Sequence, residues 1–284
     1  MSDSYLKILQ WNCHSLYPKL SHFKTYIYET KPHIVCLTET WLKNDRIPNF
    51  INYSKYLLNR SDQTGGGIAI LVRNDLLSAS KTLTPFTNGK LEIQAITLFN
   101  NNKKIDIMNI YNPNLTITTT EYSHYFQQLN PSAIILGDFN GHHQLWSDRR
   151  ASDMNGRNLF DSVSSFSNLV LTTPFNLPTY YDIPTNTFST LDLIFSSVDL
   201  FPTSSVVLGP DLGSDHDPVI AKFALSIQTS PGRKRPKWLF HTGKWDNWQT
   251  HLKPPPNSND TLADYHNFKD NIIQTSEKIF KKIF

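Results

Sequence analysis

The stretch Ile134-Ile135-Leu136-Gly137-Asp138-Phe139-Asn140-Gly141 runs from an apolar segment straight into an acid, an aromatic residue and an amide. A short apolar run bounded by turn-forming residues is typical of a buried β-strand. Polar groups at the end of such a strand can be held firmly, so a carboxylate there can accept a proton from water while the amide two residues on points to the same side. On its own, Asp-Phe-Asn is as often a plain turn, and the rest of the chain decides between the two readings.

Two further acidic clusters lie at the boundaries of apolar runs. Ser214-Asp215-His216-Asp217-Pro218 comes immediately before the run Val219–Leu225, and Thr38-Glu39-Thr40-Trp41 follows the run His33–Leu37. A histidine beside an acid can stabilise the charge that develops on a pentavalent phosphorane or on its leaving oxygen. Glu39 can act as an oxygen ligand for a hard cation, with a helix cap or a solvated side chain as the plain alternative.

Three more polar clusters occupy strand ends: Trp11-Asn12-Cys13-His14, Ile110-Tyr111-Asn112-Pro113 and Thr190-Leu191-Asp192. Carboxylates, amides and a histidine on one rim, without a set of Cys and His ligands, favour magnesium or manganese over zinc. Such a set also favours phosphoryl chemistry. A serine hydrolase built on Ser214 is disfavoured, because the chain has no Gly-x-Ser-x-Gly elbow and adjacent residues of a strand cannot face one another.

Short apolar runs with a β-rich composition recur along the chain and predict strands at Leu6–Trp11, His33–Leu37, Ile68–Val72, Leu91–Phe99, Lys104–Tyr111, Ala133–Leu136, Leu191–Phe195 and Val219–Leu225. Stripes at helical spacing lie between some of them, on Leu20, Phe23 and Ile27, on Tyr122, Phe126 and Leu129, and on Leu159, Val163 and Phe166. Because strands outnumber helices, the pattern favours stacked sheets covered by helices over a doubly wound parallel sheet. Gly65-Gly66-Gly67 precedes a strand, which indicates a hairpin or bulge instead of a phosphate-binding loop.

The bulk composition sets the class of protein. A chain of 284 residues, 39% hydrophobic and 18% charged, is long enough for one large domain plus a tail. A net charge of +3 is too small to establish a nucleic-acid partner by itself. Cys13 and Cys36 lie in apolar runs, so we expect buried free thiols in a reducing compartment. The longest apolar runs are too short to cross a bilayer, and we expect a nuclear or cytoplasmic protein.

The order of these clusters resembles the endonuclease/exonuclease/phosphatase superfamily, and in particular the apurinic-type endonuclease domains of non-LTR retrotransposons. The resemblance spans about residues 5 to 225 and rests on Gln10-Trp11-Asn12, Thr38-Glu39-Thr40-Trp41, Tyr111, Gly137-Asp138-Phe139-Asn140, Leu191-Asp192 and Ser214-Asp215-His216. The segments Gly65–Leu71 and His142–Trp146 are similar to the retrotransposon branch. The resemblance implies a DNase I-like α/β fold, a four-layer sandwich of two packed mixed sheets flanked by helices, with the active site at the sheet rim.

The resemblance also implies a role for each cluster. Glu39 would bind the divalent cation, Mg²⁺ or Mn²⁺, and Asp215 nearby would either bind the ion directly or support its coordination from behind the ligands. Asp138 would activate the attacking water. His216, paired with Asp192, would stabilise the transition state, because an imidazole anchored by a carboxylate keeps its proton more readily.

Other implied residues orient groups or contact DNA. Asn140 would orient Asp138 or the phosphate, Asn12 would hydrogen-bond within the same cluster, and Tyr111 would contact the scissile phosphate. The implied reaction nicks DNA to leave a 3′-hydroxyl and a 5′-phosphate, and in a mobile element that hydroxyl would prime reverse transcription. DNA contacts are expected from His143, Trp146, Arg149 and Thr190, with a solvated surface position as the alternative for Arg149.

One position departs from the pattern, since His14 stands where many repair relatives carry an acid. A neutral imidazole binds magnesium poorly, so we expect Glu39 and water to supply most of the coordination. Two alternatives stay open on these grounds: a phosphatase of the same superfamily acting on phosphoinositides or small phosphoesters, and a catalytically decayed DNA-binding relic.

The composition changes after the last predicted strand, which suggests a catalytic domain at 1–228 and a basic, Pro-rich linker with a C-terminal amphipathic helix at 229–284. The basic run is Arg233-Lys234-Arg235-Pro236-Lys237, and the helical face carries Tyr265, Phe268, Ile272, Ile279 and Ile283. That face needs a cover, either a partner or the main domain. The resemblance implies that the segment leads toward a reverse transcriptase domain that the chain does not contain, and that double-stranded DNA and this polymerase are the partners, without a membrane.

Overall fold

A computed structural model describes residues 4–60, 65–229, 237–238, 245–254, 261–280 and 282–283 of the chain. The chain divides into two compact units, Met1–Ser230 and Pro231–Phe284. The helices of the first unit are α1 Leu20–Thr30, α2 Thr119–Phe126 and α3 Met154–Ser164. Its strands are β1 Leu6–Asn12, β2 Ile34–Thr38, β3 Tyr53–Leu58, β4 Ile68–Arg73, β5 Leu77–Lys81, β6 Glu92–Asn100, β7 Lys103–Tyr111, β8 Ala133–Asp138, β9 Leu169–Leu171, β10 Tyr180–Asp182, β11 Thr187–Ser189, β12 Asp192–Ser197, β13 Ser204–Leu208 and β14 Val219–Phe223.

Two six-stranded mixed sheets form the first unit, with the orders β13-β14-β1-β2-β4-β3 and β5-β6-β7-β8-β12-β9. Each sheet has one parallel pair, β1 with β2 and β7 with β8. Parallel strands end at the same edge, so Asn12 lies beside Thr38 in the first sheet and Tyr111 beside Asp138 in the second. The antiparallel strand β12 begins at that edge and places Asp192 opposite Asp138.

The alternation of side chains along the strands builds the layers. Residues such as Ile8 of β1 and Ile134 of β8 point between the sheets and form the inner core. The opposite face of the first sheet packs against Phe23 of α1, and the opposite face of the second packs against Tyr122 of α2 and Leu159 of α3. The result is the expected four-layer arrangement of two mixed sheets flanked by helices.

All eight apolar runs of the sequence are strands, with bounds that differ by one or two residues. The three helical stripes are α1, α2 and α3, although Leu129 and Phe166 lie just past the helix ends and pack against the same cluster. In the first unit, the strands that the sequence did not predict are β3, β5, β9 and β13 at the sheet edges and the short pair β10–β11. Edge strands are partly exposed, so their residues do not form the apolar runs that marked the central strands.

Two smaller expectations concern the glycines and the cysteines. Gly65, Gly66 and Gly67 lie directly before β4 in the connection from β3, its antiparallel neighbour, as expected for a hairpin. Cys13 and Cys36 are both free and buried. Burial raises the pKa of each thiol well above its usual range, as for an unreactive structural cysteine. No helix in the described part of the chain has the length and apolar character needed to span a bilayer.

The second unit contains helices α4 Trp245–His251 and α5 Thr261–Ile279 and the antiparallel pair β15 Lys237–Trp238 with β16 Lys282–Ile283. Helix α5 contains most of the expected amphipathic face, but the assignment of Ile283 to it was wrong, because this residue lies in β16. Helix α4 had no sequence signal and packs on α5, where Trp248 Nε1 donates to Ser276 Oγ at 3.0 Å. Residues 233–236 of the basic run lie outside the described residues.

Candidate active site

Asn12 connects the two sheets at their common rim. Its Nδ2 donates to Glu39 Oε1 of the first sheet at 3.1 Å and to Asp138 Oδ2 of the second at 2.8 Å. Its Oδ1 accepts from the backbone N–H of His14 at 3.1 Å. One buried amide therefore fixes two carboxylates that come from different sheets.

Glu39 follows β2 in a left-handed conformation, with φ +50°. The backbone N–H groups of the next two residues, Thr40 and Trp41, donate to the carbonyl oxygens of Gly67 and Gly66 and stabilise this turn. The Tyr111 hydroxyl donates to Glu39 Oε1 at 2.9 Å, and burial together with the Glu39 charge raises the Tyr111 pKa. Within the described residues, Oε2 of Glu39 accepts no hydrogen bond.

Asp138 ends β8 and is fully buried. Its Oδ1 accepts from the backbone N–H of Asn140 at 3.0 Å, and its Oδ2 accepts from Asn12 and, at 3.3 Å, from Asn140 Nδ2. Only glycine fits before it, because a Cβ on Gly137 would lie 1.9 Å from the carbonyl oxygen of Ile110 in β7. Burial raises the pKa of Asp138 to about 7 even though the nearby His216 works against the shift.

His216 and Asp192 form a buried pair beside Asp138. His216 Nδ1 lies 2.7 Å from Asp192 Oδ2, and its Nε2 lies 4.0 Å from Asp138 Oδ2. Burial alone would lower the pKa of His216, but the charge and hydrogen bond of Asp192 outweigh it and raise this pKa to about 10. The imidazole is therefore a cation at neutral pH. Asp192 fixes its Nδ1, and its Nε2 lies near Asp138.

Two residues to which the sequence analysis assigned no role in the site, Thr179 and Gln10, support Asp192. The Thr179 hydroxyl accepts the backbone N–H groups of Leu191 and Asp192, each at 3.1 Å, and so fixes the start of β12. Gln10 Nε2 donates to Asp192 Oδ1 at 2.7 Å. For Gln10 a signal existed, since this polar residue follows the apolar Leu6 and Ile8 on the inner face of β1.

His14 and Asp215 form a more exposed pair at the mouth of the site. Their Nδ1 and Oδ1 atoms are 3.2 Å apart, and the two side chains are 50% and 27% exposed. Ser214 Oγ donates to Asp215 Oδ1 and to the backbone oxygen of Asn12, which ties this loop to β1. Burial opposes the shift, but the charges of His216 and His14 lower the Asp215 pKa. The His14 side chain is thus held beside an acid, Asp215.

The four expected DNA contacts lie in different environments. Trp146 and Thr190 are fully buried: the indole Nε1 donates to the backbone oxygen of Gly141, and the hydroxyl donates to that of Leu177. Both side chains stabilise loops from the inside, and the expected contacts with DNA stay predictions. The half-buried ring of His143 stacks on Phe160 at 4.4 Å. Arg149 is exposed.

The donor set can be compared with the needs of a divalent cation. The described residues contain no group of three or more His, Cys, Asp and Glu side chains arranged to bind a metal. Mg²⁺ does not need one, since it is usually bound through one or two carboxylates and keeps several waters. Glu39, whose Oε2 accepts no hydrogen bond from any described residue, fits a partly hydrated Mg²⁺ and does not fit a closed protein cage.

The two mixed sheets, the flanking helices and the rim of acids, amides and histidine define the DNase I-like class of proteins. The chain belongs to the endonuclease/exonuclease/phosphatase family, whose model matches residues 9–216. The superfamily resemblance of the sequence is thereby confirmed.

Individual relatives agree with this assignment. The chain is 28% identical over 152 residues to a probable RNA-directed DNA polymerase from transposon X-element of Drosophila melanogaster, a match that covers 52% of this chain and 16% of that protein. The fold is similar to the endonuclease domain of TRAS1, a telomere-specific non-LTR retrotransposon, with a TM-score of 0.64, 18% identity and coverage of 77% of this chain and 98% of that one. The catalytic domain of Xenopus laevis APE2 matches with a TM-score of 0.60, 18% identity and coverage of 79% and 94%.

Proposed function

We propose that this chain is a divalent-metal-dependent endonuclease that nicks DNA and leaves a 3′-hydroxyl and a 5′-phosphate. The observation that supports it best is the unbroken set of contacts from Glu39 through Asn12 and Asp138 to His216 and Asp192. This set combines a carboxylate suited to a hard cation, a buried base and a buried cation within one site. Each of these three kinds of group can accelerate the hydrolysis of a phosphodiester.

Asp138 is the proposed general base. N–H groups of Asn12 and Asn140 donate to both of its carboxylate oxygens, so the Asp138 side chain is held in one orientation. A pKa of about 7 leaves the carboxylate basic enough to take a proton from water at neutral pH and ionised in a large fraction of molecules. Asn140 is thus an orienting residue for the base.

His216 is the proposed source of positive charge for the transition state. Its imidazolium is fixed by Asp192 before the reaction, so no reorganisation is needed when negative charge develops on the phosphorane. The Tyr111 hydroxyl donates a hydrogen bond to Glu39. We therefore propose that Tyr111 orients the Glu39 carboxylate and also contacts the scissile phosphate. A Mg²⁺ ion bound at Glu39, with Asp215 nearby, would neutralise phosphate charge.

We further propose double-stranded DNA as the substrate and target-site cleavage for retrotransposition as the purpose. The support is the similarity to a transposon polymerase and to the TRAS1 endonuclease domain. The chain corresponds to a small part of that polymerase, so a reverse transcriptase domain would be its partner in a longer protein. Arg149, exposed in the segment 141–150 that follows Asn140, is the proposed phosphate contact among the flanking residues.

The direct test incubates the full chain with supercoiled plasmid and Mg²⁺, beside an assay of phosphate release from phosphoinositide vesicles. We expect open-circular plasmid whose nicks a DNA polymerase can extend, which reports the 3′-hydroxyl, and no phosphate release. Phosphate release without nicking would make the protein a phosphatase, and DNA binding without either reaction would make it an inactive relic.

A further inference from the structure

Two carboxamides on the inner face of β1 meet two acids of the other sheet. Gln10 and Asn12 are two positions apart, so both side chains leave the strand on the same side. Gln10 Nε2 donates to Asp192 Oδ1 at 2.7 Å and Asn12 Nδ2 to Asp138 Oδ2 at 2.8 Å. The two acids are themselves register partners across β8 and β12. The four side chains thus form a square of two amides facing two acids.

The environment of Gln10 is unfavourable for a purely structural glutamine. The residue is fully buried, and the preceding members of the same stripe, Leu6 and Ile8, belong to the apolar inner core. Its Oε1 is buried without a hydrogen-bond partner in the described part of the chain. Buried polar atoms without partners are rare in proteins because each is costly, and such a cost is usual at functional sites. An apolar side chain at this position would avoid it.

We infer that Gln10 is a positioning residue for the reaction, which acts by fixing the Asp192 carboxylate that orients His216. The inference rests on the proposed function. Asp192 divides its oxygens between two partners, Oδ1 to Gln10 and Oδ2 to His216 Nδ1, so the amide determines the plane of the carboxylate. With Oδ1 fixed, Oδ2 stays aligned with Nδ1, and the imidazole keeps its Nε2 directed toward the neighbourhood of Asp138. Without the amide the carboxylate would be free to turn about its last torsion, which is soft in acids.

The test compares Gln10→Met, which keeps the length and removes the donor, with Asn109→Leu as a matched control. Asn109 is also a fully buried carboxamide that reaches across to the first sheet, and among the described residues its Oδ1 also has no hydrogen-bond partner. Its Nδ2, however, donates to the backbone oxygens of Leu37 and Ala69 instead of to an acid. Gln10→Asn, too short to reach Asp192, is the second variant in case Gln10→Met does not fold.

The first readout is spectroscopic and does not require activity. A proton shared in a short charge-assisted bond between His216 Nδ1 and Asp192 gives a far-downfield NMR resonance, which His216→Gln assigns by removing it. We expect Gln10→Met to shift or broaden this resonance and Asn109→Leu to leave it in place. An unchanged resonance in Gln10→Met, or an equal change in Asn109→Leu, would overturn the inference, since the effect would then be absent or a matter of general packing.

The second readout is kinetic and uses a double-variant cycle with Asp192→Asn. We expect Gln10→Met to lower kcat about 10- to 100-fold with little change in KM, as for other supporting residues behind a site. The loss should largely disappear in the Asp192→Asn background, because Gln10 acts through Asp192. If the losses of kcat in Gln10→Met and Asp192→Asn multiplied in the double variant, the inference would be overturned. Failure of the wild-type chain to nick DNA would overturn the proposed function alone, since the resonance would still report on Gln10.

Discussion

The rim of the two sheets and the following loop 141–150 both contain residues with expected functional roles. The two regions differ in how deeply these residues are buried and how firmly they are held. At the rim, Asn12, Asp138 and His216 are buried and each is fixed by at least one other polar side chain. In the loop, Trp146 is core and Arg149 is exposed. Fixed geometry is needed where a proton moves, whereas a phosphate contact at the surface needs only a nearby charge.

The largest effect should come from the rim. We expect Asp138→Asn to fold normally and to lose nicking by about 10²- to 10⁴-fold, because the amide cannot take the proton from water. The rate of plasmid nicking measures the loss, and circular dichroism checks the fold. A variant that nicks at the wild-type rate would show that Asp138 is not the base.

A buried loop residue should affect stability instead of chemistry. We expect Trp146→Ala to lower the free energy of unfolding by about 3–5 kcal/mol, because the change leaves a large cavity in the core. Urea denaturation measures it, with Arg149→Ala as the control from the same loop. A loss of DNA affinity without a loss of stability would mean that the indole contacts DNA after all.

The pH profile should separate the two buried titrating groups at the rim. The pKa of Asp138 is raised to about 7, so the base is protonated and inactive below that value. The pKa of His216 is raised to about 10, so its positive charge is lost above that value. We expect kcat to rise toward pH 7, stay level and fall near pH 10, and His216→Gln to lack the alkaline fall. Persistence of that fall in the variant would assign it to another group.

The smallest effect should come from the exposed cation. We expect Arg149→Ala to weaken DNA binding by a few-fold, to leave kcat unchanged and to reduce the slope of log affinity against log salt by about one. Binding measured at several salt concentrations would reveal it. An unchanged slope would leave Arg149 as solvated surface.

The central strands could be predicted from the sequence, because a buried strand consists mostly of apolar residues. The positions of Asn12, Glu39 and Asp138 at strand ends could also be predicted, because these polar residues follow the apolar runs. The sequence could not predict the edge strands, whose residues are half-exposed. It also could not place Trp146 inside the protein, since burial of a loop aromatic depends on contacts with Gly141 and α3 that no local pattern encodes. The partner of Gln10 lies 182 positions away and depends on which sheet each strand joins.

The central claim is that residues of both sheets act as one site, and a double variant tests it most directly. Glu39→Gln changes the first sheet and Asp138→Asn the second. We expect each single variant to lose most of the nicking rate, and the double variant to be little slower than the slower single variant, because groups that act as a unit are strongly non-additive. A wild-type rate in either single variant, or losses that simply multiply in the double variant, would contradict the account.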